Sequence, residues 1–131
     1  GWQARMFGKH WLHLDVPRHL WHFSADSLKQ LFAEHGFSVK NARHCEFEYD
    51  VLGWSQSCLN AVFRTPNIFF HLLSGKAANI PFLSKASNFV LGSLLSAISV
   101  PFVLIGSLAG RGGTLVVEAV KLDNSTQISA K

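Results

Sequence analysis

Residues 10–23 gather the side chains best suited to chemistry. His10, His13, His19 and His22 fall there, with Trp11, Asp15, Arg18 and Trp21 among them. His10 and His13 stand three apart, as do His19 and His22, and imidazoles so spaced could bind zinc. The rest of a zinc set is missing. No cysteine stands at a matching spacing, Asp15 is the one nearby carboxylate, and neither pair has the helical His-Glu-x-x-His form. No metal is therefore expected, and the histidines read as solvated or loop-stabilising groups. The tryptophans admit two readings. Trp2, Trp11, Trp21 and Trp54 could form an aromatic wall for a flat or lipid-like ligand, or fill a core and its rim.

Composition narrows the classes. A chain of 131 residues suits one domain. Apolar residues make up 48% and charged residues 15%, and the second figure is low. So few charges leave surface to be covered by a partner, a membrane or the rest of a larger domain. The net charge is +4, but Lys and Arg are scattered, without the basic stripe that nucleic-acid binding needs. Positive residues flanking apolar segments fit anionic lipid headgroups better. Cys45 and Cys58 form neither a disulfide framework nor a zinc spacing. Reduced thiols and the lack of a secretory pattern at the N-terminus point to a cytoplasmic protein. The first residue is Gly, not Met, so a processed chain or a piece of a longer protein is expected.

The elements that must position these residues follow from periodicity. A short helical turn near the start gives way to an ordered loop, since Pro17 biases Val16 away from helix. Ser24 suits a helix N-cap, and Asp26 complements the dipole of the first turn. Leu28, Leu31, Phe32 and His35 make one apolar stripe over a helix at 24–36, which Gly36 ends. From Phe37 to Tyr49 the period becomes two, predicting a strand with a bulge or bend at 41–43. Residues 51–75 read as helix interrupted near Thr65-Pro66, with a second turn over 67–73 and a stop at Ser74-Gly75. Residues 76–85 read as loop. Residues 89–109 hold no charge, and Pro101 predicts a bend. Thr114–Lys121 predicts a strand, apolar on both faces at its start and so interior to a sheet. The polar tail 122–131 is expected to be mobile.

Two runs carry a family resemblance. Pro17-Arg18-His19-Leu20, His22-Phe23-Ser24, Ser27-Leu28 and Gly36-Phe37 resemble the segment after the fifth strand of class I S-adenosylmethionine-dependent methyltransferases. Gly112-Gly113-Thr114-Leu115-Val116-Val117-Glu118-Ala119-Val120-Lys121 resembles their closing strand. The resemblance covers 1–49 and 110–121, and covers 50–109 poorly. It implies an α/β fold: the C-terminal part of a Rossmann-like methyltransferase sheet, with the last helix and two antiparallel strands (37–49 and 114–121). Residues 50–109 would be a helical apolar insertion, and 1–131 a single partial domain. It further implies methyl transfer from S-adenosylmethionine to a small or lipophilic acceptor. The loop 10–23 would lie at the carboxyl edge of the sheet. There His19, and next His22, would serve as base, with Trp11, Arg18 and Trp21 against the substrate. One departure is plain. The family's glycine-rich turn after the first strand and acidic residue after the second are missing, so no cofactor-binding residue is assigned here. Gly106, Gly110, Gly112 and Gly113 precede a strand, whereas a nucleotide fingerprint follows one. The cofactor would be bound mainly by an N-terminal half.

The apolar stretch supplies the rival from another class, a non-catalytic membrane-associating or protein-interaction helical module. The stretch is long enough to span a bilayer, but spanning would part the two strands. A hairpin bent at Pro101 and dipping into a membrane surface over 82–109 resolves that conflict, as does burial against the enzyme or a second copy. Two strands and a one-faced helix are too few to close a sheet, so an isolated chain is expected to be a homo-oligomer or partly disordered.

Overall fold

The computed structural model describes residues 1–15, 19 and 21–122. It is a mixed helix and strand structure with a two-stranded antiparallel sheet. Helix α1 spans Trp2–Phe7 and runs through two short 3-10 turns, Gly8–His10 and Leu12–Leu14. Helix α2 spans Ala25–Glu34, strand β1 Phe37–Arg43, helix α3 Phe47–Val62 and helix α4 Ile68–Leu73. Helix α5 spans Phe82–Leu108 and strand β2 Val116–Lys121. Arg18, and the tail beyond Leu122, lie outside the described residues.

α2 begins and ends where its caps dictate. The Ser24 hydroxyl accepts from the Ser27 N–H at 3.1 Å, and the Ser27 hydroxyl accepts from the Ser24 N–H at 2.9 Å. Gly36 takes φ +75, open to glycine because it has no Cβ. The chain then doubles back, so Phe32 of α2 meets Phe37 of β1 edge to face at 5.9 Å. β1 and β2 pair in the expected antiparallel sense, from Phe37 opposite Lys121 to Arg43 opposite Val116. Lys40 is the extra residue: Val39 faces Ala119 and Asn41 faces Glu118.

Four expectations need correction. The strand from Phe37 does not reach Tyr49. It stops at Arg43, and Phe47–Tyr49 open α3 instead. The helix turns Asp50, 1% exposed, back over Glu46, so that its carboxylate accepts from the Glu46 N–H four residues earlier and from the Thr114 hydroxyl. β2 is not interior among the described residues, for β1 is its only neighbour. The loop at 76–85 is shorter, because Pro81 sets the start of α5 at Phe82. α5 also runs unbroken through Pro101, so no hairpin bends there. The proline ring is exposed and α5 is packed on one side only, so the ring displaces no neighbour.

The hairpin is instead made by α3 and α5, joined through α4. Trp54, midway along α3, sits 5.5 Å from Phe102, late in α5, whereas Phe69, beyond the end of α3, packs on Gly92 in the first half of α5, so the helices run antiparallel. Both ends attached to the sheet therefore lie on one side. The far end is held by amides: Gln56 accepts from the Phe70 N–H at 2.7 Å, and Asn60 accepts from the Asn67 N–H at 2.8 Å. Phe69 of α4 packs on Gly92 of α5, where a Cβ would come within 2.5 Å of the ring. Gly92→Ala is expected to destabilise the protein by about 1–3 kcal/mol through overpacking. Urea unfolding followed by circular dichroism measures it, and an unchanged midpoint would refute this account of the packing.

Candidate functional site

The site is built around a buried polar knot. The Gln3 amide of α1 donates to the Asp50 carbonyl at 2.9 Å, and its oxygen accepts from the Trp11 indole N–H at 3.2 Å. The Thr114 hydroxyl donates to the Asp50 carboxylate at 3.1 Å and accepts from the Glu46 N–H at 2.7 Å. The turn before β2 must come very close to this knot. A Cβ on Gly113 would lie 2.6 Å from the Asp50 carboxylate and 2.7 Å from the Gln3 amide, and one on Gly112 would run into the His44 carbonyl. Gly112 and Gly113 therefore serve close packing, while Gly110 serves the turn by taking φ +63.

The same knot pins the histidine-rich segment to α3. The Leu12 N–H donates to the Ser57 hydroxyl at 2.9 Å, and the Asn60 amide donates to the His10 carbonyl at 3.2 Å. His13 donates from Nε2 to the Tyr49 carbonyl at 3.0 Å. Burial pushes the His13 pKa below its ordinary value, against the opposing pull of that bond and of Asp50. Desolvation also raises the Cys45 and Cys58 thiols, which are free and held in the unreactive form.

Two cavities flank the segment. The larger, about 740 Å³, lies between α1, the start of α2 and the glycine turn. Trp11, Trp21 and His22 line it together, with Arg5 and His44. His22 lies tilted on Trp11, ring centres 5.5 Å apart, and Trp21 is 79% exposed at the rim. The tryptophans thus divide by role: Trp11 and Trp21 wall the cleft, while Trp54 packs against Phe7 and Phe102. The smaller cavity, about 370 Å³, is lined by His13, Asp15, His19, Tyr49 and His71 among others. His19 Nε2 stands 3.7 Å from an Asp15 carboxylate oxygen. His19 and His22 therefore line different cavities. Among the described residues no group of three or more His, Cys, Asp or Glu side chains is placed to hold a metal.

Some contributors escaped the sequence reading. Arg5, His44 and His71 reach the cavities from α1, from the β1–α3 link and from α4, and no local pattern marks them. The adjacent glycines before β2 were a signal, for they require something large and close to them.

His13 makes stability depend on pH in a stated direction. Its folded pKa is lowered, so below the ordinary value of 6.5 the unfolded chain takes up the proton first. Its contribution is complete above pH 6.5 and is lost as pH falls through the lowered folded value. Thermal melts of the protein and of His13→Gln, at pH 7.5 and 5.5, should show a smaller pH difference in the variant. An equal difference would exclude His13 as the group responsible. Comparison of the chain with protein-family models, with curated proteins and with solved structures gives no match.

Proposed function

We propose that the chain is the C-terminal, acceptor-side part of a class I S-adenosylmethionine-dependent methyltransferase. The acceptor in this reading is small or lipophilic. The observation that carries it is an order combined with a register. The segment containing His19 and His22 leads into a capped helix, that helix packs on β1, and after a helical insertion β2 returns antiparallel beside β1. The open edge of β2 is where the preceding strands of such a sheet would join.

The residues present do not fit the cofactor. The glycine turn precedes a strand instead of opening a helix, and its close side is filled by His44, Gln3 and Asp50. No backbone there is free to cradle the adenosyl group. The chain's own part is therefore confined to the acceptor. The cleft walled by Trp11 and Trp21 offers indole faces for a flat group to lie against. His22 shares that cleft and takes the proton of an acceptor hydroxyl. His19 is the other candidate base, but through the smaller cavity and with Asp15 orienting it. Arg18, the remaining substrate-contact candidate, lies outside the described residues.

The test is transfer of a tritiated methyl group from S-adenosylmethionine by the intact protein into the organic phase of a membrane lipid extract. Transfer is expected, with His22→Ala lowering kcat by about 10²–10⁴-fold, the usual contribution of a positioned base. Intact protein that neither binds S-adenosylmethionine nor labels any acceptor would sink the reading. His19→Ala losing as much as His22→Ala would move the base to the smaller cavity.

A further inference from the structure

The interior and exterior of this chain are unusually distributed. The largest fully buried side chains are polar: Gln3, Gln56, Asn88, Asp50, Ser55 and Ser57. α5 shows the reverse on its outside. Its buried residues are Asn88, Gly92, Ser99, Val103 and Gly106. At 100° per residue these fall within an arc of roughly 60°, turned toward α3 and α4. The rest of the circumference carries exposed Phe89, Leu94, Ile98, Phe102 and Ile105. α5 is 27 residues long and apolar enough to cross a membrane. α3, by contrast, is covered by α5 on one side and by α1 and the 3-10 turns on the other. α5 is therefore the outer wall, and its apolar face is the one left open.

Charge indicates what covers that face. No Asp or Glu occurs between Asp50 and Glu118, while Arg64, Lys76, Lys85 and Arg111 all carry positive charge. Arg64 and Lys76 are exposed beside α4, and Lys85 lies in the first turn of α5, reaching the Ala78 carbonyl at 3.3 Å. Phe82 and Leu83, in the same turn, are 83% and 78% exposed. A second copy laid parallel on that face would bring the same cations together, and one laid antiparallel would offer them no acidic partner, since no Asp or Glu lies between Asp50 and Glu118. An anionic lipid surface would pair with them and take in the apolar side chains beside them.

We infer that α5 docks side-on at the surface of an anionic bilayer. Its outward apolar face enters the acyl boundary, and Arg64, Lys76 and Lys85 engage lipid phosphates at its leading end. Docking side-on keeps both strands on one side of the membrane, as their pairing demands. It also suits Pro101. Because proline has no N–H, the Ala97 carbonyl loses its usual helical partner, and an interface supplies water to it where a hydrocarbon core would not. The docking stands whether or not the cleft accepts a methyl acceptor.

Flotation of the intact protein with vesicles tests it. One set is pure phosphatidylcholine, the other phosphatidylcholine with 30% phosphatidylglycerol, a proportion about equal to a strongly anionic membrane. Binding to the anionic vesicles is expected to exceed binding to the neutral ones at least tenfold and to weaken with salt. Each cation near the surface contributes roughly fivefold, so Arg64→Gln/Lys76→Gln/Lys85→Gln should lose on the order of 100-fold. Ile98→Glu, at an exposed position that leaves the fold intact, should lose at least about tenfold by placing a charge in the acyl boundary. Lys40→Gln, on the sheet, should change binding less than about twofold. Equal binding to both vesicles, full binding by the triple variant or by Ile98→Glu, or a dimer in solution that ignores vesicles would each overturn the inference.

Discussion

Asp50 is the point on which the rest of this structure depends. It is buried at the start of α3, yet it touches what comes before and after in the chain. Its carbonyl holds Gln3 of α1, and its carboxylate holds Thr114 just before β2. The Glu46 N–H bonds both to that carboxylate and to Thr114. A carboxylate taken out of water is costly unless donors meet it, and here two donors meet Asp50 Oδ2 while Oδ1 is buried without a partner among the described residues. These bonds bring residues 3, 46, 50 and 114 together and so close the loop that contains β1 and the whole helical hairpin and leads into β2. The two glycines before β2 follow from the same bonds, because only a residue without a side chain lets the turn approach so near.

From that knot the two halves of the molecule part in character. On the sheet side, backbone pairing and a capped helix give a small, one-faced layer with an open edge. On the hairpin side, serines and amides fill the contact between helices, and small residues on α5 let them approach closely. Amides of Gln56 and Asn60 also satisfy backbone groups where α3 gives way to α4. A core of this kind has little apolar surface to bury, so its cohesion rests on tight fit and on hydrogen bonds that, among the described residues, leave Asp50 Oδ1 and Asn88 Oδ1 unpartnered. The large apolar side chains are left on the outside, where a nonpolar environment would stabilise them.

The placement of the candidate site follows from the same anchoring. The histidine-rich segment is bonded to α3 at Ser57, Asn60 and Tyr49, with cavities on either side of it. Side chains adjacent in sequence are thereby sent to different places. Trp11 and His22 meet over the larger cleft, His13 turns into α3, and His19 pairs with Asp15 by the smaller cavity. Spacing along the chain could not separate these fates, since the partners that anchor the segment, Ser57, Asn60 and Tyr49, are 36 to 50 residues away.

Local chemistry was sufficient for the parts that local forces build. Ser24 and Gly36 bounded α2, Pro66 broke the helix after α3, and Gly75 ended α4, because caps and prolines act within one turn of chain. The alternation from Phe37 and the apolar run in Thr114–Lys121 named two strands, and each satisfies one edge of the other. Tertiary contacts decided the rest. Phe47–Tyr49 alternate like a strand but join α3, where Asp50 meets the Glu46 N–H, Thr114 and Gln3, and such long-range bonds outweigh a weak local preference. Pro101 reads as a break but sits inside α5, because its ring points away from the packed stripe. Gln3, Asp50 and Thr114 are unremarkable as residues and central as a group, because their partners lie 47 and 64 residues away, beyond any pattern the chain can display locally.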